Sequence, residues 1–324
     1  MSKDKTSSCS ATLDLVCPPI SNSLAAQLND NAQFERRMRQ SDFYMIVGRA
    51  QASFKNLSTD FDLGRFNFSI AIAGGKEDSG WIEMLHLPRI KGCKTNLVMG
   101  IRHGESQIRF FIKHEDGSEE VIAAFIPDDI LMRRGRKELV IGGFDSYVDL
   151  ATYDLLYVGI AKKGDTYDRL FDNGHKARMQ ILASEPQRFP GARVSDETYL
   201  LAFKVEPLLI KVFGPGSEIE DGDVDFTYDN KRLVADAEKA VVSLLKPQYN
   251  NALYPNYPKG KDGLYDTGLT SYTYAISEGM AFRTAYGTIK GGRQRELTIS
   301  NEADYIMVEG DKVTFHISGV DFSA

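Results

Sequence analysis

No stretch of this chain approaches the ~20 consecutive apolar residues that span a bilayer. Its longest apolar segments, around 155–161 and 199–203, have the length of buried strands. The N-terminal "MSKDKTSSCSATLDLVCPPI" has no signal-peptide core, because Asp14 interrupts its only apolar run. Cysteine is scarce as well. Cys9, Cys17 and Cys93 build no disulfide framework, and Cys9 and Cys17 lack metal-ligand spacing. These absences lead to the expectation of a cytoplasmic protein with no membrane segment. A basic surplus is also missing: 39 Lys and Arg face 45 Asp and Glu, for a net charge of −6. That argues against a general nucleic-acid coat protein, while a local basic groove stays open, since the field in a cleft depends on where charges sit. No internal repeat is visible.

What is present is an ordinary globular composition, 42% hydrophobic and 26% charged, in 324 residues, enough for about two domains. Residues 1–21, rich in Ser and Thr, read as a disordered lead. Residues 22–40 read as a helix capped at Asn22 or Ser23. From Phe43 to about Val140, short alternating or apolar segments are cut by glycines and turn signals, including the hairpin turn "HEDGS", as in a β-rich unit. After the basic run "RRGRKE" at 133–138 the texture changes to strands and helices. "DLLYVGIA" reads as a strand, 165–185 as largely helical, and 198–213 as mostly strand. The segment 230–250 reads as a helix: Leu233, Ala237, Ala240, Val241 and Leu244 keep helical spacing, and Pro247 stops it. After the Pro/Gly/Tyr-rich loop "YPNYPKGKDGLYDTG" the chain returns to strands. This tail is expected to complete the β-rich N-terminal domain, which would make the central α/β unit an insertion.

The central unit carries side chains suited to phosphodiester hydrolysis, which needs a group to activate water and a cation to meet the charge on phosphate. A metal usually assists the leaving oxygen. Tyr157 closes a strand beside Gly159, where a backbone can be approached closely. Arg169 offers a fixed guanidinium fork for phosphate. His175 titrates nearest neutral pH. Glu238 lies at the edge of a helix's apolar face, with Val234 and Val242 one turn away on either side, a place suited to holding one metal ion. Asn250 closes "LKPQYN", where it can fix a loop.

The ordered set "YVG", Arg169, Glu238 and "KPQYN" resembles the GIY-YIG nuclease superfamily over about residues 140–255. The resemblance implies an α+β fold: a small GIY-YIG-like α/β domain with a short antiparallel sheet at 141–260, embedded in or flanked by a β-rich domain. Residues 22–140 would then bind the target or regulate, and 261–324 would be a β-rich extension. By the resemblance, Tyr157 matches the second family tyrosine, Gly159 its glycine, Arg169 the arginine, Glu238 the metal-binding glutamate and Asn250 the asparagine. His175 resembles the histidine of restriction-type members. There is no "GIY" triplet; the nearest stand-in for the first tyrosine is Tyr147, with Tyr153 a poorer fit. The stretch from Arg169 to Glu238 exceeds that of minimal members. The implied cofactor is Mg²⁺ or Mn²⁺ on Glu238, and the implied partner is nucleic acid, DNA first, contacted by Gly159, Lys162, Lys163, Lys176 and Arg178. A homo-oligomer or a regulatory partner is compatible with the reading. By analogy alone it extends to restriction or phage defence.

Blander readings stand beside these. Arg169 could pair with Asp165, Asp168 or Asp172 on the surface. His175 could be a helix-end residue and Asn250 a turn closer. The lysines and "RRGRK" could be solvated faces. His86, His103, His114 and His316 have no ligand spacing and read as structural. The missing "GIY" favours a rival function, a catalytically inactive binding or sensor protein on the same fold. The aromatics Phe66, Phe68, Trp81, Phe110 and Phe111 read as core rather than as a nucleic-acid platform.

Overall fold

A computed structural model describes residues 5–90, 98–162, 164–172, 174–215, 219, 227–294 and 300–320. Lys163 and Cys93 lie outside the described residues.

The chain opens with β1 (Lys5–Leu15) and β2 (Ile20–Ser21), passes α1 (Asn22–Gln27) and α2 (Ala32–Met38), and enters β3 (Phe43–Gly48). There follow β4 (Ala52–Asp60), β5 (Arg65–Ile72), β6 (Glu77–Glu83), β7 (Val98–His103), β8 (Ile108–Lys113), β9 (Glu119–Phe125), α3 (Pro127–Gly135), β10 (Ile141–Gly143) and α4 (Tyr147–Leu150). Next come β11 (Thr152–Ile160), α5 (Lys176–Ser184), α6 (Val194–Glu197), β12 (Thr198–Phe213) and α7 (Asn230–Leu245). The chain finishes with β13 (Ser271–Ile276), β14 (Ala281–Thr284), β15 (Gly287–Lys290), β16 (Tyr305–Glu309) and β17 (Lys312–His316). The class is mixed α+β, built on one large curled sheet and two small ones.

Among the described residues the large sheet runs β15-β14-β11-β3-β12-β1-β13-β16-β17, with β2 beside β12. β3 is antiparallel to both its neighbours, so Tyr44 lies between Gly159 on one side and Ala202 on the other. All six residues of β3 are buried, which is why "FYMIVG" is apolar throughout and does not alternate. Its two faces feed different cores. Phe43, Met45 and Val47 join the main core with α7 and the small sheets, whereas Tyr44 and Ile46 join a second core with Phe34, Met38, Leu170 and Ile181. Full burial of each large apolar side chain contributes about 1.5–3 kcal/mol, so β3 ties the two layers together.

Three expectations about organisation are corrected. Residues 5–15 are not disordered: they form a strand held by β12 on one side and β13 on the other. Cys9, Ala11 and Leu13 recur with period two on the core face, and the intervening Ser10 and Thr12 point to the opposite face, where Thr12 is buried as well, so a strand pattern was present under a composition that suggested disorder. The break near 140 does not separate two domains, because β3 from the N-terminal part sits inside the sheet made by β11 and β12. The insertion is the reverse of the one expected. The small sheets β10-β6-β5-β4 and β7-β8-β9 lie in the chain between β3 and β11. The C-terminal strands extend the large sheet, with β14 parallel to β11 and β13 parallel to β1, rather than completing the small ones.

The helix expected over 22–40 divides in two, because the Asn31 side chain accepts bonds from Gln33 N and Phe34 N and restarts the turn as the N-cap of α2. The helical stretch expected over 165–185 divides as well. A π-helical turn covers Asp168–Asp172, and α5 begins after it with His175 as N-cap. α7 ends at Leu245, one residue before Lys246 in the left-handed conformation and two before Pro247.

Candidate active site

β11 contains a bulge between Leu155 and Tyr157, where its register against β3 shifts by one residue. Tyr153 and Leu155 face the main core before the bulge, and Val158 and Ile160 face it afterwards. The extra residue therefore turns Tyr157 and Gly159 to the opposite face, the one to which Tyr44 points. Gly159 is needed there. A Cβ at this position would lie 2.6 Å from the Tyr44 hydroxyl and 2.7 Å from Tyr157 Cε1. The two phenol rings stack over this glycine with centroids 6.1 Å apart.

The outer edge of β11 is completed by the loop after α7. Of the residues of β11, β14 pairs with 152–154. Beyond that, Tyr249 N donates to Leu156 O at 3.0 Å. The Asn250 side chain then accepts from Val158 N at 2.9 Å and donates to Val158 O at 2.8 Å. Asn250 thus acts as one residue of a missing strand and satisfies the backbone that the bulge would leave unpaired. It is a positioning residue.

His175 packs edge-on against both tyrosines, 5.4 Å from the Tyr44 ring and 5.2 Å from that of Tyr157. Its Nδ1 accepts from Arg178 N at 2.9 Å, which closes the first turn of α5. Its Nε2 lies 2.7 Å from the Tyr44 hydroxyl. With Nδ1 occupied as an acceptor, the neutral ring carries its proton on Nε2 and donates it to Tyr44, a tautomer assigned from the network. Burial, then the positive charges of Arg169 and Arg178, push the His175 pKa down to about 4.

Arg169 projects from the π-helical turn, an element often found at functional sites. Of the surface partners weighed for it, Asp165 and Asp168 each meet Arg39 at 2.7 Å, and the Asp172 side chain lies outside the described residues. Arg169 meets the Tyr44 hydroxyl instead and favours its ionised form, although burial dominates and raises the Tyr44 pKa. Tyr157 is raised too, by burial first and the Glu238 charge second.

Glu238 enters from α7 with 8% exposure. Burial raises its pKa, and Lys162 opposes that. The Tyr254 hydroxyl donates to Glu238 Oε2 at 3.4 Å. The loop bearing Tyr254 is strapped to the same helix at Asp236, a fully buried carboxylate that accepts from Tyr257 Oη at 2.7 Å, Tyr274 Oη at 2.9 Å and Leu264 N at 2.6 Å. Lys239 pairs with Asp262 beside it.

These residues share one cleft of about 980 Å³, lined by Tyr44, Tyr157, Lys162, Arg169, His175, Lys176, Glu238, Asn250 and Tyr254 among others. Set against protein-family models, curated proteins and solved structures, the chain finds no match in any of the three.

The geometry sorts the sequence candidates. Tyr157, Arg169, His175, Glu238 and Asn250 come together, Gly159 supports the tyrosines, and Lys162 and Lys176 stand exposed at the rim. Tyr147 does not join them. It lies on α4, packed against Arg134 and Gly279, with no side chain in the cleft. Arg178 is also turned away: it donates to Asn22 Oδ1 at 2.6 Å and to Leu170 O at 2.8 Å. Tyr44 and Tyr254 are residues that the sequence reading missed. The signal for Tyr44 was a tyrosine in an apolar strand, "FYMIV", placed far from the stretch that was searched for a first tyrosine.

Among the described residues no three His, Cys, Asp or Glu side chains gather as a metal cage. The cleft offers one carboxylate, Glu238. That donor set fits Mg²⁺, which keeps several waters and completes its octahedron with one or two carboxylates and substrate phosphate oxygens.

Proposed function

We propose that this protein is a divalent-metal-dependent endonuclease that hydrolyses phosphodiester bonds in nucleic acid, with a cleft of the GIY-YIG kind. The observation that carries the reading is the convergence of Tyr44, Tyr157, Arg169, His175 and Glu238 on one cleft from separate elements. Tyr44 stands where the missing "GIY" triplet left a tyrosine vacant, which supports the active reading over an inactive sensor.

Each group has a defined part. The Tyr44 hydroxyl orients the attacking water. The His175 Nε2–H and the Arg169 guanidinium fix that hydroxyl in place, and burial keeps it protonated. His175 is therefore a donor that positions Tyr44 and not itself the base. Arg169 also faces the charge growing on the phosphate oxygens. Tyr157 holds the second side of the water. Lys162 and Lys176 meet neighbouring backbone phosphates at the rim. Glu238 would hold Mg²⁺, which would supply Lewis-acid stabilisation of the phosphate and of the leaving oxygen.

The test is nicking of supercoiled plasmid DNA by the full chain in Mg²⁺ or Mn²⁺, with EDTA and the Glu238→Gln variant alongside. Metal-dependent nicking that is lost in the variant is expected. Equal nicking by Glu238→Gln, or cleavage untouched by EDTA, overturns the reading.

A further inference from the structure

A second groove of about 750 Å³ opens on the other side of the Tyr249–Asn250 loop and shares those two residues with the cleft as a common wall. Arg283 on β14 and Tyr286 in the turn before β15, which lie beyond the GIY-YIG resemblance, line it together with Arg188 and Lys246. On a chain with a net charge of −6, its lining carries three cations against two carboxylates, Asp154 and Glu185. Those carboxylates leave the cations incompletely neutralised. Glu185 pairs with Arg188 at 2.9 Å, and Asp154 is divided between Arg188 at 3.3 Å and Arg283 at 2.6 Å, which leaves Lys246 over. Lys246 meets no carboxylate among the described residues. Its ammonium lies 4.9 Å from the centroid of the Tyr286 ring, which is itself 66% exposed.

An exposed aromatic ring flanked by cations is the arrangement that takes an unpaired base by stacking and its phosphates by charge. In a duplex the base faces are already stacked, so a single tyrosine gains little from one. We propose that this groove is a subsite for an unpaired nucleotide of a strand whose neighbouring phosphodiester occupies the Tyr44–Glu238 cleft. The inference rests on the nuclease reading for the identity of the ligand. It adds that the substrate is single-stranded, flapped or branched next to the cut.

The test is fluorescence anisotropy of the full chain in EDTA with a labelled oligothymidylate of about 12 nucleotides, within the site sizes of single-strand binders, and with a duplex of the same length. Tyr286→Ala is expected to weaken single-strand binding about tenfold, and Tyr286→Phe to restore it, since the ring alone stacks. Arg283→Ala is expected to reduce the slope of log K against log salt by about 0.7. Both side chains are more than half exposed, so the fold tolerates the changes. Unchanged affinity in both variants, equal losses on duplex and single strand, no binding by the wild-type chain, or displacement by polyglutamate as effective as by unlabelled oligonucleotide overturns the proposal. Plasmid and flap cleavage separates the two readings. Binding that depends on Tyr286 in a chain that cuts neither substrate retains the subsite and removes the nuclease. Cleavage with unaltered KM and affinity in both variants does the reverse.

Discussion

Gly159→Ala is the smallest change that reaches the chemistry without touching a reactive group. The new methyl would meet Tyr44 Oη at 2.6 Å, and Tyr44 Cζ and Tyr157 Cε1 at 2.7 Å, where ordinary contact begins at 3.4 Å. The rings must retreat by roughly 0.7–0.8 Å, close to the ~1 Å misplacement that costs about 10²-fold in rate. Such a retreat stretches the 2.7 Å Tyr44–His175 bond beyond useful length. The fold suffers less. Overpacking costs about 1–3 kcal/mol, and alanine recovers roughly 0.5–1 kcal/mol over glycine in a strand. The expected outcome is nicking slowed about 10²-fold with KM nearly constant, beside a stability loss of at most about 2.5 kcal/mol in urea. An NMR spectrum should show the His175 Nε2–H in slow exchange in the wild type and exchanging rapidly in the variant. If Gly159→Ala cuts within about threefold of wild type, the stacked tyrosine pair does not set the rate and the reasoning fails.

The other expectations are more compact. Tyr44→Phe should abolish cleavage and Tyr147→Phe should leave it intact, read on the same plasmid; the opposite pattern would restore Tyr147 as the first tyrosine. Glu238→Gln should lose cleavage yet raise Tm. The native Glu238 pKa lies above its unfolded value, so its charge costs stability progressively as pH rises, and the gain in Tm should grow from acid toward neutral pH. For His175, held at about 4 against an unfolded value near 6.5, the unfolded chain binds the extra proton between these pH values. Stability is therefore full above pH ~6.5 and falls as pH drops toward 4, a slope that His175→Gln should remove in urea titrations. Asn250→Ala should cost about 1–3 kcal/mol by leaving Val158 N–H and C=O unpaired, and should slow cleavage by loosening Tyr157.

The residues legible in the sequence were those whose signal is local. Tyr157 and Gly159 stand two apart, Arg169 and His175 lie in the next segment, and Glu238 sits on a helix whose apolar spacing places it at the edge of the core. Asn250 follows the proline that ends that helix. Tyr44 was not legible as a site residue, because its partnership with Tyr157 is a fact of strand pairing across a long insertion and leaves no spacing to read. The bulge at Leu155–Tyr157 was equally silent: simple alternation along β11 would turn Tyr157 into the main core, away from Tyr44. Strand β1 was misread for a different reason. Composition outweighed periodicity, although "SCSATLDL" alternates faithfully.

Long-range pairing also dictates when this site can exist. Tyr44 and His175 are 131 positions apart, and Ser8 on β1 meets Ser271 on β13 across 263 positions. Loop closure over such separations is slow, and the contacts that reward it come late. During synthesis the strand bearing Tyr44 emerges first and waits while both small sheets are made. α7 with Glu238 follows, and β13 and β14, which flank β1 and β11, come later still. A nascent chain therefore holds its tyrosines, arginine and glutamate apart until β13 and β14 have been made. If the proposed function holds, a ribosome-stalled chain ending before residue 270 should cut no nucleic acid, because the order of the strands would itself keep the unfinished cleft from forming.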